Sequence, residues 1–492
     1  MAGVSARHIP ADHDRGLKES VVSAGYSTAV VAGPWLFTIA AIVIITAIAQ
    51  QWASRETLAD FRMLLIYAFL LSIVAAAPVV IISYRVSADA IYSGSHESIV
   101  PLLLAGLVLG GVGSAALALL VVAFFKLTFE AAVALTQSSG LIGMMWVSLA
   151  LCATLREFRA ITFVFAGGLV VAISGALLAA ISGLNGAGIL LGLSCGLAVI
   201  FLGFSMRVFQ HARDPHCGLT TAIANMLSWF KKYWVIAIGA LFGIVAVWID
   251  KWVIWAGPLG EYVNSGLVNA PLYDSAAFIG SLTIIPALTH LVKALDTEYR
   301  WRYRSYFDAI EGHSPLTEIR KKSAELESYT FRTLEKIILL QAAVSAIVVI
   351  TAPLIVRVTS LPFSGIPILR LCAIAAVFQM VFLASTTFLL FFERYREFLL
   401  LQLCFLLLNF LGTLVTVSIG PMSYGFGILV AAVVSGTAAS VVLGRVFGRI
   451  DYITFVEGAV RMQRHACSAA RKEGAYAPGV QKSKTGVMRP SI

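Results

Sequence analysis

One feature limits the fold of this chain more than any other. Uncharged apolar runs recur from near Thr28 to Gly444, and at about twenty residues each is long enough to cross a bilayer as a helix. Twelve are read, at 29–49, 63–84, 101–125, 132–153, 160–182, 187–206, 234–255, 265–290, 337–356, 369–392, 398–418 and 425–444. Only 13% of the 492 residues are charged, against roughly a quarter in a soluble protein. The chain reads as an all-α polytopic membrane protein. The segment before Thr28 has no apolar core, and the first run is longer than the roughly 7–15 residues of a signal peptide; it reads as an uncleaved span.

The connections between spans alternate in basic content. The N-terminus, 85–100, 154–159, 207–233, 291–336, 393–397 and the tail from 445 hold 30 of the 36 Lys and Arg; the other side has only Arg55, Arg62, Lys126, Lys251, Arg357 and Arg370. Basic connections stay cytoplasmic, so both termini are expected there, and the net charge of +10 belongs to a face that meets anionic lipids. No folded basic domain supports nucleic-acid binding. The parse is therefore a cytoplasmic segment 1–28, six spans over 29–206, a linker 207–233, six spans over 234–444 with a cytoplasmic insertion 291–336, and a basic tail 445–492 that composition marks as disordered. Six spans on either side of one linker suit a transporter built from two parallel repeats.

Little points to catalysis, metal or cofactor. Cys152, Cys195, Cys217, Cys372, Cys404 and Cys467 have no metal-type spacing. The literal G-x-S-x-G at 192–196 lies inside an apolar span, where a nucleophile elbow does not form. Gly106 and Gly110, and Gly188, Gly192 and Gly196, have the spacing of close helix packing.

Polar residues within spans are the site candidates. A charge at bilayer centre costs about 2.5–3.5 kcal/mol on insertion scales and usually faces a cavity or a partner. Asp274 lies about 14 Å deep if its span begins near Ser265; alternatively Pro271 opens the helix and the carboxylate complements its dipole. Asn269 and Tyr273 share its strip, and Pro286 is a candidate hinge. His290 sits at the end of this span. Asp250 and Lys251 are neighbours that point about 100° apart on a helix and need not pair. Trp248, Trp252 and Trp255 read as an interfacial belt with Lys251 snorkelling outward; a cavity role for Asp250 is the alternative. In "DTEYRWRYRSYFDAI", 296–310, Tyr299, Tyr303, Tyr306 and Ile310 form a helical stripe flanked by Arg300 and Arg304. That pattern suits a helix in the headgroup layer or a docking surface, and Ser314 is the expected N-cap of a following polar helix.

Several segments resemble the PelG family, the inner-membrane transporter of the Pel exopolysaccharide system. They are "AGPWLFTIAAIVII" (32–45), "WIDKWVIW" (248–255), "YDSAAFIGSLTIIPA" (273–287), "DTEYRWRYRSYFDAI" and "LLFFERYREFLLL" (389–401). The resemblance implies a twelve-helix fold of the multidrug/oligosaccharidyl-lipid/polysaccharide exporter (MOP) superfamily, with two six-helix bundles around a central cavity. It also implies bacterial inner-membrane export of an N-acetylgalactosamine-rich polymer during biofilm matrix production. A cytoplasmic glycosyltransferase and inner-membrane scaffold subunits that sense cyclic di-GMP would be partners. By similarity, Asp250, Lys251, Tyr273, Asp274 and Glu298 match recurrent polar positions. The chain departs from the family at "HDRGLKESVVSAG", where a Gly-Ile-Gly-Phe-Glu-Leu-Arg-like start is usual.

The reading is thus a polysaccharide exporter and not an enzyme, with Tyr273, Asp274, Asn269, Asp250, Lys251 and Trp248 on the pathway. Glu298, Arg300, Arg302 and Arg304 would dock the glycosyltransferase. Rival readings are a cation-coupled flippase of lipid-linked sugar or small molecules, and a non-transporting scaffold of a membrane synthase.

Overall fold

The computed structural model describes residues 33–93, 99–155, 157–211, 218–359 and 361–457. The N-terminal segment 1–28, Cys217, Cys467 and the tail beyond 457 lie outside the described residues. Continuous apolar sequence gives continuous helix, because in lipid each backbone N–H and C=O must be satisfied within its own segment. Helices α1 (Gly33–Ala49), α2 (Arg55–Ser93), α3 (Ile99–Phe125), α4 (Phe129–Thr154), α5 (Phe158–Ile181) and α6 (Gly186–Gln210) come first. Then follow α7 (Leu219–Trp255), a hairpin of β1 (Glu261–Tyr262) and β2 (Val268–Asn269), α8 (Pro271–Leu282), α9 (Ile285–Ala294) and α10 (Arg300–Glu311). The series closes with α11 (Leu316–Val358), α12 (Gly365–Phe391), α13 (Tyr395–Ile419) and α14 (Phe426–Phe447). Eleven helical segments among the described residues are long and apolar enough to cross a membrane, and α1 is a shorter apolar helix before them.

Polar side chains end the helices where the apolar runs stop. Asn185 accepts from the Gly188 amide at 3.0 Å as α6 begins, and Thr128 does the same for the Ala131 amide of α4. The expected glycine packing is present: a Cβ at Gly192 would come within 2.3 Å of the Gly175 carbonyl oxygen, so α5 and α6 meet backbone to backbone. Helices α1–α6 form one bundle; α7–α13, with α14 up to Ser440, belong to the other. The two meet where α2 and α3 pack on α7. Residues 1–440 form one compact unit and 441–492 a second, whose described part is the end of α14, a short helix α15 (Ile450–Tyr452) and a π turn, Ile453–Glu457.

Two expectations about the boundaries are corrected. The eighth span starts at Pro271, not near Ser265, because Glu261 pairs with Asn269 and Tyr262 with Val268 in the hairpin. Within 291–336, α10 is a helix of its own as expected, but the second helix of the stretch is not separate from the ninth span. A π turn, Leu295–Tyr299, joins α9 to α10, and residues 316–336 are the front of the 43-residue α11, about 64 Å long at 1.5 Å per residue. Pro315, rather than Ser314, occupies the N-cap position of α11. The eighth and ninth spans therefore run on together as a helical hairpin that turns at 312–315.

Candidate functional site

At the arginine-poor ends of the helices, α7 and α8 bring together a buried carboxylate, Asp250, and a part-buried one, Asp274. Asp250 and Tyr273 are fully buried, and the Tyr273 hydroxyl donates to Asp250 Oδ2 at 2.7 Å. Lys251 Nζ donates to the two Asp250 oxygens at 3.1 and 3.2 Å and to the Val247 carbonyl at 3.2 Å. The neighbours thus pair after all: the flexible lysine stem folds back along α7 instead of snorkelling, with its ammonium 5.6 Å from the Trp248 ring centre. A carboxylate with no access to water is costly unless paired and hydrogen-bonded, and the lysine and tyrosine together meet that demand.

Asp274 is satisfied differently. The Trp255 indole donates to its two oxygens at 2.8 and 3.0 Å, and the Ala270 amide to Oδ2 at 3.0 Å. It lies in the first turn of α8 behind Pro271, where a negative charge complements the helix dipole. The midplane placement is corrected for the same reason that the span start was.

These groups adjoin the seam between bundles. Tyr67 of α2 donates its hydroxyl to the Val268 carbonyl at 2.8 Å and stacks on Trp255, with ring centres 5.2 Å apart and planes at 22°. Phe125 at the end of α3 meets the Tyr67 ring edge-on at 6.3 Å. The hairpin reaches the start of α2, where the Ser265 amide donates to Asp60 Oδ1 at 2.9 Å and Asn264 Nδ2 to Glu56 Oε2 at 3.4 Å. Trp255, expected in a lipid-facing belt, is 8% exposed and joins both halves of the seal. Asn269 lies half-buried in β2 opposite Glu261.

Deeper along the eighth span the helix breaks at Thr283 and Ile284, two residues before Pro286. Buried Gln341 of α11 donates to Thr283 Oγ1 at 3.0 Å and to Ser345 Oγ at 3.1 Å, and its own Oε1 has no partner. His290 is half-buried on α9.

The opposite, basic ends carry a second link between bundles: Arg85 of α2 pairs with Glu393 in the α12–α13 turn at 2.5 Å and with Asp89 at 3.4 Å. Here too lies the aromatic stripe, and its headgroup placement is corrected. Tyr299 and Tyr306 are buried. Tyr299 packs on Phe388 and Phe391 at 4.8 and 4.9 Å, and the Tyr303 hydroxyl donates to the Phe391 carbonyl at 2.9 Å. The end of α12 offers these rings an apolar protein surface, so they leave the lipid boundary. Of the docking candidates, Arg300 pairs with Asp296 at 3.0 Å, Arg302 pairs with Glu298 at 3.3 Å and lies 5.0 Å from the Tyr329 ring centre, and Arg304 is exposed.

Sequence reasoning missed Tyr67, Asp60, Arg85, Glu393 and Gln341. Tyr67 lies 201 residues from Val268 and Arg85 lies 308 from Glu393, and no spacing rule links positions so far apart. A buried Gln in an apolar run was the one local signal available.

Two helical bundles, sealed against each other at one end and linked by an ion pair at the other, give a polytopic helical protein with a MATE-like fold. The architecture matches a MATE transporter solved in its bent conformation with a TM-score of 0.60 at 15% identity, covering 88% of this chain and 96% of that one. An inward-facing multidrug-resistance MATE transporter gives 0.59 at 14% identity over 84% and 95%, and an outward-facing one gives 0.58 at 14% over 87% and 97%. Identity at this level establishes the fold alone. A comparison with curated proteins finds no match. Residues 1–455 match the PelG family, described as "Putative exopolysaccharide Exporter (EPS-E)", and the chain belongs to that family.

Proposed function

We propose that this protein exports an exopolysaccharide, a Pel-like polymer rich in N-acetylgalactosamine, across the bacterial inner membrane during biofilm matrix production. The observation that carries the reading is the family match over residues 1–455 on a transporter fold. In this reading the basic ends and both termini face the cytoplasm, in keeping with the charge asymmetry of the connections. The polymer passes between the bundles. Tyr273, Asp274, Asn269, Asp250, Lys251 and Trp248 flank the periplasmic seal, and the break before Pro286 is the hinge. A sugar chain needs ring faces to stack on and hydrogen-bonding groups without deep charge wells. The Asp250–Lys251 pair is compatible with this role because the buried carboxylate is cancelled within the protein and leaves no deep charge well beside the route.

A cytoplasmic glycosyltransferase would meet the α10–α11 hairpin at Arg304, Arg302, Arg300 and Glu298, with inner-membrane subunits that sense cyclic di-GMP completing the assembly. The chain itself moves polymer without making or breaking a bond. To test the reading, the chain is removed from its host and polymer is measured inside and outside the cells. Loss of external polymer, restored by the intact chain, is expected. External polymer at its original level without the chain would end the proposal.

Buried Asp250 and part-buried Asp274 favour a second reading, cation-coupled movement of a lipid-linked sugar or small molecule. Asp274→Asn separates the two: export that survives at normal protein abundance excludes coupling through this carboxylate.

A further inference from the structure

A cleft of about 530 Å³ lies between Pro78 of α2 and Phe230, Lys231, Trp234, Ala237, Ile238 and Leu241 of α7. Apart from Lys231 its lining side chains are apolar. A sugar in it would leave hydroxyls without partners, so the cleft is a poor polymer route. From Lys231 to Leu241 the helix rises about 15 Å, which is half of a hydrocarbon core of about 30 Å. The cleft thus has the depth of one leaflet, and its single charge stands at the headgroup end. Lys231 is exposed and has no carboxylate partner among the described residues. Tyr233, with φ −113° and ψ 22°, interrupts α7 at the same level.

We infer that this cleft seats one acyl chain of an anionic phospholipid from the leaflet at the basic ends, with the lipid phosphate held by Lys231. The charge selects an anionic headgroup, and the rings of Phe230 and Trp234 flank the entrance of the chain. Because α2 and α7 belong to different bundles, the chain acts as a wedge at their seam. The site therefore reports the lipid composition of one leaflet to the pair of helices that must move apart. It does not depend on what the protein exports.

Trp234 is 53% exposed and serves as the reporter. The full chain is reconstituted in phosphatidylcholine vesicles doped with brominated phosphatidylglycerol or with brominated phosphatidylcholine. Quenching of Trp234 is taken as the difference between the protein and Trp234→Phe. One lysine near an anionic surface contributes about 1 kcal/mol, which corresponds to about a fivefold preference for phosphatidylglycerol at equal mole fraction. Lys231→Gln removes that preference and leaves the fold intact, since the side chain is exposed. Ala237→Leu fills the cleft and lowers quenching by both lipids. Equal quenching by the two lipids in the unaltered protein, or a preference that survives Lys231→Gln, overturns the phosphate site. Quenching unchanged by Ala237→Leu overturns the cleft as the seat of the tail.

Discussion

Replacing Tyr67 with phenylalanine isolates one bond of the seal. The ring stays stacked on Trp255 while the 2.8 Å bond to the Val268 carbonyl is lost. A buried hydrogen bond of this kind contributes about 1 kcal/mol net, so the ratio of open to closed seal rises about fivefold. Tyr67→Ala also removes the ring, and large-to-small changes of buried aromatics cost about 3–5 kcal/mol; the ratio then rises on the order of a hundredfold or more. The assay is a cysteine at Val268, which is 7% exposed, in a background without the native cysteines. It is labelled by a membrane-impermeant maleimide from the arginine-poor side. When opening is fast relative to labelling, the rate follows the open fraction. The reasoning fails if Tyr67→Phe and Tyr67→Ala both label at the rate of the parent.

Further outcomes follow from the same geometry. Asp250→Ala leaves the Lys251 ammonium and the Tyr273 hydroxyl without their partner and should destabilise the protein by about 3–5 kcal/mol, read as thermal unfolding in detergent; Asp250→Leu with Lys251→Met should recover most of that loss. Arg85 and Glu393 are part-exposed, so removing their pairing should cost no more than about 1 kcal/mol, measured as the coupling energy in a double-mutant cycle of Arg85→Ala and Glu393→Ala. Gly192→Leu places side-chain atoms where the Gly175 carbonyl already stands and should abolish folded protein in the membrane, measured by fluorescence-detected size exclusion. Replacing Arg300, Arg302 and Arg304 together with alanine should reduce recovery of the proposed soluble partner with the membrane complex; unchanged recovery removes the docking assignment.

What the sequence discloses depends on whether the cause is local. Apolar run length sets the spans, because lipid leaves a backbone no other partners, and the glycine spacings at 188, 192 and 196 predict a close approach on α6. The docking stripe shows where periodicity alone is insufficient. The spacing of Tyr299, Tyr303 and Tyr306 fixes a shared helix face, but the amphipathic lipid interface and the phenylalanines of α12 can each accommodate a face of tyrosine rings. The choice is made by α12, nearly ninety residues away in the 88-residue separation of Tyr303 from Phe391. Asp250 and Lys251 mislead for another reason. Their Cβ vectors diverge, yet four methylenes let the ammonium return to its neighbour. Asp274 was legible in its alternative form, because Pro271 marked the helix start that fixes its depth.

In the proposed export cycle the bundles part at the Asp60–Ser265 and Tyr67–Val268 contacts for polymer to leave. A disulfide between Asp60→Cys and Ser265→Cys, across the seam where the Ser265 amide now meets the Asp60 carboxylate, tests this most directly. Oxidation should stop export and reductant should restore it, with neither effect in the single-cysteine proteins. Export at the original rate through fully cross-linked protein would contradict the account.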